Sequence, residues 1–207
     1  MRARPPDNPS AARNTAPILD VLKRLVRPGE RIVEMGAGNA QHAAVMASEL
    51  SFAQWQVTET PGELSRPAAW LAWSGDVRLS AAAPYSAGSA TLDFSPFTLA
   101  LSINTAHIVG WSGFVGFLHD AAAMTAAERR LVYYGPLKIG EDFLSEGNRR
   151  FDAQLTAQDR RRGIRDLNAV DAAAAAAGWC RDRLFAMPAN NLLLVYSASK
   201  PSAHVAK

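Results

Sequence analysis

A glycine-rich turn that directly follows a short apolar run constrains the fold of this chain more than any other feature. The run contains one acid, Glu34, and leads into Gly36-Ala37-Gly38-Asn39, after which the residues predict a helix. Small residues let the backbone approach a ligand closely, and the start of a helix offers unpaired N–H groups. The stretch is therefore typical of an α/β sheet whose first strand and helix form a seat for a nucleoside-bearing cofactor.

The spacing within this turn distinguishes between two cofactors. A dinucleotide site has the pattern G-x-G-x-x-G, which would place its third glycine at position 41, and that residue is Gln41. Sites for S-adenosylmethionine (SAM) in Rossmann-like methyltransferases have an acid, two spaced glycines and a small residue, and this chain matches them with Glu34, Gly36, Gly38 and Ala40. The turn therefore favours SAM, and an NAD-dependent oxidoreductase is the least favoured alternative.

Length and composition predict one soluble domain. At 207 residues, of which 48% are apolar, the chain is long enough for a single well-packed core. No apolar run reaches the roughly 18 residues of a membrane span, and the basic N-terminus leads into no apolar signal core. We therefore expect a cytoplasmic protein with no membrane partner. We expect its domain to occupy residues 13–200, between a flexible arm at residues 1–12 and a flexible tail at residues 201–207.

Charge and residue types argue against several other classes of site. The net charge is +3, and the basic run at residues 160–162 has no interleaved aromatic residues to stack on bases, so nucleic acid is not favoured as a partner. The single cysteine, Cys180, excludes an intramolecular disulfide and a thiolate metal cluster. The four histidines have no carboxylate at ligand spacing, so no metal site is predicted.

Alternating patterns of strands and helices predict a three-layer α/β sandwich of the Rossmann-like type. Strands are predicted at Arg31–Met35, Trp55–Glu59, Asp76–Leu79, Phe97–Ile103, Arg130–Tyr134, Trp179–Met187 and Asn191–Ser197. Helices are predicted from a cap at Asn14 or Thr15 to Pro28, and at His42–Leu50, Ser65–Leu71, Phe114–Met124, Asn148–Gln158 and Asp171–Ala177. The last two strands are joined by a three-residue turn, so we expect a mostly parallel seven-stranded sheet with an antiparallel C-terminal hairpin. Residues 136–168 are polar and too long for a simple connection, which predicts a substrate lid.

The carboxyl ends of the predicted strands supply the candidate cofactor-binding residues, because ligands of such sheets lie outside those ends. Glu34 is predicted to interact with the methionine end of SAM, with helix capping as the alternative. Glu59, or the adjacent Thr58, is predicted to accept hydrogen bonds from ribose hydroxyls, with a surface acid as the alternative. Asp76 is predicted to accept from the adenine amine, with Val77 packed on the ring. The full predicted set is Glu34, Gly36, Ala37, Gly38, Asn39, His42, Thr58, Glu59, Asp76, Val77 and Asn104.

The turn after the fourth predicted strand supplies the candidate catalytic residues. It contains Asn104 and His107, and an imidazole pKa near neutrality suits His107 to act as a general base, with a structural histidine as the alternative. Tyr134, at the end of the fifth strand, is predicted to reach the acceptor pocket, with Lys138 as the other candidate and packing in the core as the alternative for the tyrosine. No N-P-P-Y or D-P-P-Y motif occurs, which weakens the case for methylation of a planar amino group.

Taken together, the motifs are similar to those of the methyltransferase-like protein 26 family, a group of proteins of unknown function found in bacteria and animals. The matching segments span residues 13 to about 197 and are Arg13-Asn14, Pro17–Leu19, Glu34–His42, Trp55-Gln56, Ile103-Asn104-x-Ala106-His107, Tyr134–Pro136, Asn148, Phe151-Asp152, Gly163–Asp166 and Met187–Asn191. The resemblance implies the fold of class I SAM-dependent methyltransferases, with no assigned substrate. The chain departs from many methyltransferases in having Ala40 for a third glycine and Glu59 for a frequent Asp.

The resemblance and the predicted lid together give the candidate substrate-binding residues Arg13, Asn14, Tyr134, Asn148, Asp152, Arg165 and Asn190. An internal ion pair is the alternative for Arg165, and a turn position is the alternative for Asn190. The chain is therefore expected to be a SAM-dependent methyltransferase that acts on a small-molecule acceptor, with His107 as the candidate general base. A non-catalytic SAM-binding protein and a methyltransferase that acts on RNA or protein are the alternatives. The acceptor atom is left open, and so is assembly into a homodimer.

Overall fold

A computed structural model of the protein describes residues 3–88 and 96–198, so the predicted tail at residues 201–207 lies outside the described residues. The strands are β1 (Arg31–Glu34), β2 (Gln54–Glu59), β3 (Ala83–Pro84), β4 (Phe97–Ile103), β5 (Thr125–Ile139), β6 (Asp142–Phe143), β7 (Arg165–Asp166), β8 (Trp179–Met187) and β9 (Asn191–Ala198). The main sheet has the order β3-β2-β1-β4-β5-β9-β8, and the short strands β6 and β7 pair with β5. Strands from β3 to β5 along this order pair in parallel, whereas β9 is antiparallel to both β5 and β8. The predicted mostly parallel sheet with an antiparallel C-terminal hairpin is confirmed.

The two faces of the sheet are covered by the helices α1 (Pro9–Leu25), α2 (Gln41–Glu49), α3 (Ala68–Ser74), α4 (Trp111–Met124), α5 (Glu146–Gln158) and α6 (Leu167–Ala176). On one face, α1 and α2 bury Ile18 and Met46 against Trp55. On the other face, α4 and α6 bury Phe114 and Val170. Both faces of the central strands are thus removed from water, which explains why β4 is a continuous apolar run. No helix within residues 3–88 and 96–198 is long and apolar enough to cross a membrane.

Helix α1 begins earlier than the sequence predicts. The side chain of Asn8 caps it by accepting hydrogen bonds from the first two free N–H groups, at 2.9 and 3.3 Å, and a proline occupies the first turn. The predicted caps, Asn14 and Thr15, therefore lie inside the helix, which corrects that boundary. Residues 9–12 of the predicted arm are helical.

The third strand lies later than the sequence predicts. The predicted segment Asp76–Leu79 makes a single bridge, from Leu79 to Trp55, and the two-residue strand β3 follows it. The prediction is wrong because the Asp76 carboxylate accepts hydrogen bonds from the backbone N–H (3.0 Å) and the guanidinium (2.8 Å) of Arg78, which stabilise a turn in place of an extended chain.

The chain that follows β3 packs directly on α4. Asp120, which is buried in α4, accepts hydrogen bonds from the Tyr85 hydroxyl and from the Gly88 N–H, both at 2.8 Å. The Gly88 backbone also lies against Gly116 of α4, where an added Cβ atom would stand 2.5 Å from the Gly88 Cα. Only a residue without a side chain at position 116 permits this contact, which holds the loop after β3 at the carboxyl edge of the sheet.

We expect Gly116→Ala to lower the free energy of unfolding by about 1–3 kcal/mol, because the new methyl group would meet backbone atoms that cannot rotate away. Gly113→Ala on the same helix is the matched control, since its Cβ would meet only the Val109 side chain, at 3.8 Å. Helix propensity should make that control more stable by up to about 1 kcal/mol. Urea unfolding followed by circular dichroism measures both variants. Equal stabilities would contradict the close contact.

Candidate functional site

A cavity of about 830 Å³ opens at the carboxyl edge of the sheet, a volume within the roughly 300–1,000 Å³ of small-ligand sites. Its walls come from the turn after β1, the end of β2, the loop after β4, the first turns of α1, and α5. Of the predicted site residues, those that line it are Arg13, Asn14, Gly36, Ala37, Gly38, Asn39, His42, Glu59, Asn104, His107 and Asn148. Those that do not are Glu34, Thr58, Asp76, Val77, Tyr134, Asp152, Arg165 and Asn190.

The turn after β1 adopts a left-handed backbone that residues with side chains rarely populate. The φ angle is 70° at Gly36, 62° at Gly38 and 60° at Ala40. At Gly36 there is a second constraint, because an added Cβ would stand 3.2 Å from Thr105 Cγ2 in the loop after β4. The predicted glycine turn therefore lies on the cavity wall, and it brings the loops after β1 and β4 into contact.

Glu59, at the end of β2, links this turn to the cavity. One carboxylate oxygen accepts a hydrogen bond from the Gly38 N–H (2.8 Å), and the other accepts from the Thr60 N–H (2.8 Å). A carboxylate oxygen has two acceptor positions, so each keeps one for a ligand. Thr58 has a supporting role instead, because its hydroxyl donates to the Glu34 carbonyl (2.9 Å) behind the turn.

Glu34 lies beneath the turn and does not line the cavity. The residue is 1% exposed, and its carboxyl accepts a hydrogen bond from Trp55 Nε1 (3.1 Å). Burial raises the pKa of Glu34 to about 8; the Trp55 hydrogen bond acts in the opposite direction, and the neighbouring Glu59 carboxylate adds to the rise. Glu34 is therefore protonated at neutral pH and supports the turn from below, which differs from the predicted role at the methionine end of SAM.

Asp76 and Val77 lie outside the cavity, which corrects their predicted contact with adenine. The Asp76 carboxylate forms an ion pair with Arg78 at 2.5 Å, and Val77 is 97% exposed. The part of the cavity wall that follows β3 is apolar. The sequence does not predict it, because β3 lies later in the chain than expected. Its residues are Tyr85 and Ala87, which follow β3, and Phe114 and Phe117 on α4.

His107 lines the cavity, but its side chain is more deeply buried than we expect for a general base with a pKa near neutrality. The residue is 4% exposed, and its ring packs edge-on against Phe151 with 5.4 Å between centroids. Its Nδ1 atom has no hydrogen-bond partner among the described residues. Burial lowers the pKa of His107 to about 4, and the nearby Arg165 guanidinium lowers it further. The imidazole is therefore neutral at physiological pH, and its pKa is not the near-neutral value that the sequence analysis expects.

His42 is the second histidine on the cavity wall, and its tautomer follows from its partner. The Thr15 hydroxyl lies 2.7 Å from the Ala11 carbonyl oxygen and 2.9 Å from His42 Nδ1. Because a carbonyl only accepts, the hydroxyl proton goes to Ala11 and His42 Nδ1–H donates to Thr15. Burial lowers the pKa of His42 to about 4, so the ring is neutral and Nε2 is its acceptor nitrogen.

Asn104 and Tyr134 meet through the backbone. The Asn104 N–H donates to the Tyr134 carbonyl oxygen at 2.8 Å, and the φ of 56° at Asn104 turns the chain out of β4 onto the cavity wall. The Tyr134 ring points into the core formed with α1 and α2, and burial raises the pKa of its phenol to about 12. Tyr134 therefore packs in the core and does not line the cavity, and its predicted catalytic and substrate-binding roles stay predictions.

Asp152 and Arg165 hold the segments around the cavity together. The Asp152 carboxylate accepts a hydrogen bond from the Ile164 N–H (2.6 Å). The Arg165 guanidinium donates to the carbonyl oxygens of Ala106 (3.0 Å) and Val109 (2.5 Å), which lie in the loop after β4. Both side chains are occupied by the backbone, so the structure gives them supporting positions in place of the predicted contacts with substrate. Such contacts leave no signal in the sequence.

Asn148 and Asn190 join α5 to the turn before β9. Asn148 Nδ2 donates to the Asn190 carbonyl oxygen at 3.0 Å, and Asn190 has a left-handed φ of 55°. Asn190 is thus a turn residue, as the alternative interpretation holds, while Asn148 lines the cavity. Four further residues line the cavity although the sequence does not predict them: Ala189 and Asn191 beside Asn190, and Asn8 and Ser10 at the start of α1. Asn8 followed by Pro9 is a helix-start signal that could have indicated the latter pair.

Glu34→Gln is expected to make stability less dependent on pH. The pKa of Glu34 is about 8 in the folded chain against an ordinary 4.5, so the folded state binds the extra proton and stability falls as the pH rises between these values. The uncharged amide keeps an acceptor for Trp55. The free energy of unfolding of the variant should therefore rise relative to that of the wild type between about pH 5 and about pH 8. Urea unfolding at both pH values tests this. Glu141→Gln, whose side chain is 98% exposed, is the control. A difference that does not change with pH would contradict a buried, protonated Glu34.

Solved methyltransferase structures share this fold. The SAM-dependent methyltransferase SibL matches with a TM-score of 0.75 and 15% identity, over 92% of this chain and 56% of that chain. An O-methyltransferase family 2 protein from Planctomyces limnophilus, in complex with apigenin, matches with a TM-score of 0.78 and 15% identity, over 91% and 57%. The SAH-bound form of CalO1, a methyltransferase in calicheamicin biosynthesis, matches with a TM-score of 0.70 and 14% identity, over 89% and 54%. The chain spans little more than half the length of these proteins, and the likeness shows a shared fold.

A family model described as "Protein of unknown function (DUF938)" matches residues 6–198. The match includes the glycine turn, the loop after β4 and the segment that surrounds α5. The resemblance to the methyltransferase-like protein 26 family is not tested by this match and stays a prediction. The chain belongs to the DUF938 family of proteins of unknown function.

Proposed function

We propose that the protein is a SAM-dependent methyltransferase that acts on a small-molecule acceptor. The observation that carries this proposal is the position of the Glu59 carboxylate, which lines the cavity and is tied to the turn after β1 by the Gly38 N–H. Each of its two oxygens has one free acceptor position. Together they can accept hydrogen bonds from the two hydroxyl groups of a ribose. The fold shared with SAM-dependent methyltransferases supports the same conclusion.

The residues around the cavity fit SAM. Glu59 would hold the ribose, and the backbone of the glycine turn would hold the methionine end, because its left-handed residues leave no side chain in the way. The apolar wall of Tyr85, Phe114 and Phe117 would hold the adenine ring. When bound, SAM supplies a methyl group that is already activated by a positively charged sulfur.

The chain's own residues must then orient the acceptor, exclude water and accommodate one proton. His107 is neutral at physiological pH, so one of its ring nitrogens is a hydrogen-bond acceptor that can orient a hydroxyl group. A pKa of about 4 makes it a weak base, so the acidity of the acceptor must assist. A phenol, with a pKa of about 10, is a better match to such a base than an ordinary alcohol.

The polarity of the remaining wall suggests an uncharged acceptor. Ile108, Val109 and Phe151 line the cavity near His107, and Asn148 adds an amide. Arg165, whose charge acts on His107, donates to backbone carbonyls and does not line the cavity. The cations that do line it, Arg13 and Arg66, lie in α1 and in the segment between β2 and α3. We therefore propose a partly apolar acceptor that carries a hydroxyl group of phenolic acidity. The apigenin complex of the Planctomyces limnophilus protein supports this class.

A non-catalytic SAM-binding protein is the second candidate. One observation favours it over a methyltransferase that acts on RNA or protein: both cavity histidines have pKa values of about 4, so neither is a strong general base. SAM binding without transfer to any member of a broad acceptor panel would favour this candidate.

The wild-type protein should bind SAM and S-adenosylhomocysteine saturably in isothermal titration, and should not bind NAD. Glu59→Gln should weaken both about tenfold or more, because the amide replaces one charged acceptor. Glu63→Gln is the matched control, since Glu63 also lines the cavity but pairs with Arg66 at 3.4 Å on the exposed surface. The absence of SAM binding to the wild type at high micromolar concentration would rule out the proposed function.

His107→Gln should lower turnover about tenfold to a hundredfold and leave SAM affinity within about twofold, because the imidazole acts on the acceptor. Turnover is measured as S-adenosylhomocysteine release across a panel of uncharged phenols. His119→Gln, at an exposed position on α4, is the control and should keep wild-type turnover. Unchanged turnover in His107→Gln would exclude a role for this residue in the reaction.

A further inference from the structure

The pair Gln41-His42 has no role in the function proposed above, yet both residues are buried at the first turn of α2. Gln41 is 1% exposed, which is unusual for an amide side chain at the start of a helix. Both of its polar groups are used, and both bind the N-terminal segment. Its Oε1 accepts a hydrogen bond from the Asn8 N–H (2.8 Å), and its Nε2 donates to the Asp7 carboxylate (2.8 Å).

Two further contacts hold the same segment. His42 Nδ1 binds the Thr15 hydroxyl at 2.9 Å. At the other end, the Arg4 guanidinium lies over the rings of Trp70 and Trp73 on α3, at 5.4 and 5.6 Å from their centroids. Residues 4–16, which we name the N-terminal strap, are therefore attached to α2 and α3 by polar and cation–π contacts.

The strap forms one wall of the proposed ligand cavity. Asn8, Ser10, Ala11, Arg13 and Asn14 all line it. Most of the strap is otherwise exposed, so little apolar burial holds it in place. The tethers at Gln41 and His42 therefore decide whether these residues face the ligand.

Pro17 separates the strap from the rest of α1. A proline inside a helix removes one backbone hydrogen bond and weakens the helix at that point. Immediately after it, Ile18 and Leu22 are completely buried in the core between α1 and the sheet. The anchored half of α1 can therefore keep its packing while the strap moves about Pro17.

We propose that Gln41 and His42 are positioning residues that hold the N-terminal strap over the cavity and so complete the ligand site. The inference rests on the proposed function, because it takes the cavity as the binding site for SAM. Ligand entry and release then require the strap to detach from α2, and a bound ligand favours the attached state through Arg13 and Asn14. A variant with a detached strap binds more weakly, because the competent state is populated only part of the time.

The first test uses Gln41→Met, which keeps the volume of the side chain and removes both hydrogen bonds to the strap. Amide hydrogen exchange of residues 4–16 should accelerate in the ligand-free variant, while exchange in β4 and β5 stays at the wild-type rate. S-adenosylhomocysteine should bind about tenfold more weakly, as expected if the strap is attached for about a tenth of the time. Gln56→Met is the matched control, since Gln56 donates to the carbonyl oxygens of Val57 and Ala81, which lie outside the strap.

The second test is a rescue by pH. Gln41→Glu keeps the acceptor for the Asn8 N–H but places a carboxylate against Asp7. The two carboxylates should repel at neutral pH, and the Arg4 guanidinium, which pairs with Asp7 at 2.9 Å, offsets only part of this repulsion. Near pH 5 the introduced carboxyl group can take up a proton and donate to Asp7 as the Gln41 amide does, so the loss of S-adenosylhomocysteine affinity relative to the wild type should shrink. A general packing defect would not respond in this way.

The outcomes separate this inference from the proposed function. If the wild type binds no S-adenosylhomocysteine, the proposed function fails, and strap exchange in ligand-free Gln41→Met still tests the tether. If the wild type binds and Gln41→Met binds equally well with unchanged strap exchange, the positioning role is wrong. An affinity loss in Gln41→Glu that is the same at both pH values would also overturn it.

Discussion

The hydrogen bonds between the end of β2 and the turn after β1 are the interactions on which the rest of the site depends. The Thr58 carbonyl accepts the Ala37 N–H, and the Glu59 carboxylate accepts the Gly38 N–H. They hold the turn in its left-handed conformation, and that conformation sets where α2 begins. The same bonds fix the direction of the Glu59 carboxylate. The glycine turn and the first turn of α2 are thus parts of one hydrogen-bonded unit.

Most of the fold and the central part of the site could be predicted from the sequence because local patterns carry them. The apolar run of β4 and the short turn before β9 each specify a local structure that tertiary contacts leave unchanged. The glycine turn and Glu59 were predicted from their positions after strands, and both line the cavity. The position of a residue directly after a strand predicts its place in the site where the sheet is parallel, because the carboxyl ends of all parallel strands lie at one edge of the sheet.

The errors have two causes: local hydrogen bonds that replace an extended chain by a turn, and contacts between segments that are distant in sequence. The third strand has two residues and was misplaced because Asp76 and Arg78 favour a turn over extension. Tyr134 does not line the cavity that the sequence predicts it to reach, because the alternation of side chains along β5 turns its ring into the core with α1 and α2. Arg165 donates hydrogen bonds to carbonyl oxygens of residues that are far away in the sequence, and no sequence pattern predicts such a bond. The low pKa values of the histidines likewise follow from burial, which a single sequence does not reveal.

The contact between Gly88 and Gly116 has a consequence for how this family can vary. Gly116 in α4 must lack a side chain because the Gly88 backbone occupies the space, whereas Gly88 in the loop has a left-handed φ of 81° that favours glycine. A larger residue at position 116 requires the loop after β3 to move away from α4, which would also break its bonds to Asp120. Relatives that carry such a residue should therefore have a different loop, and with it a different shape on the side of the cavity that Tyr85 and Ala87 form. Variation at a helix position remote from the glycine turn thus becomes a route by which the ligand preference of the site can diverge.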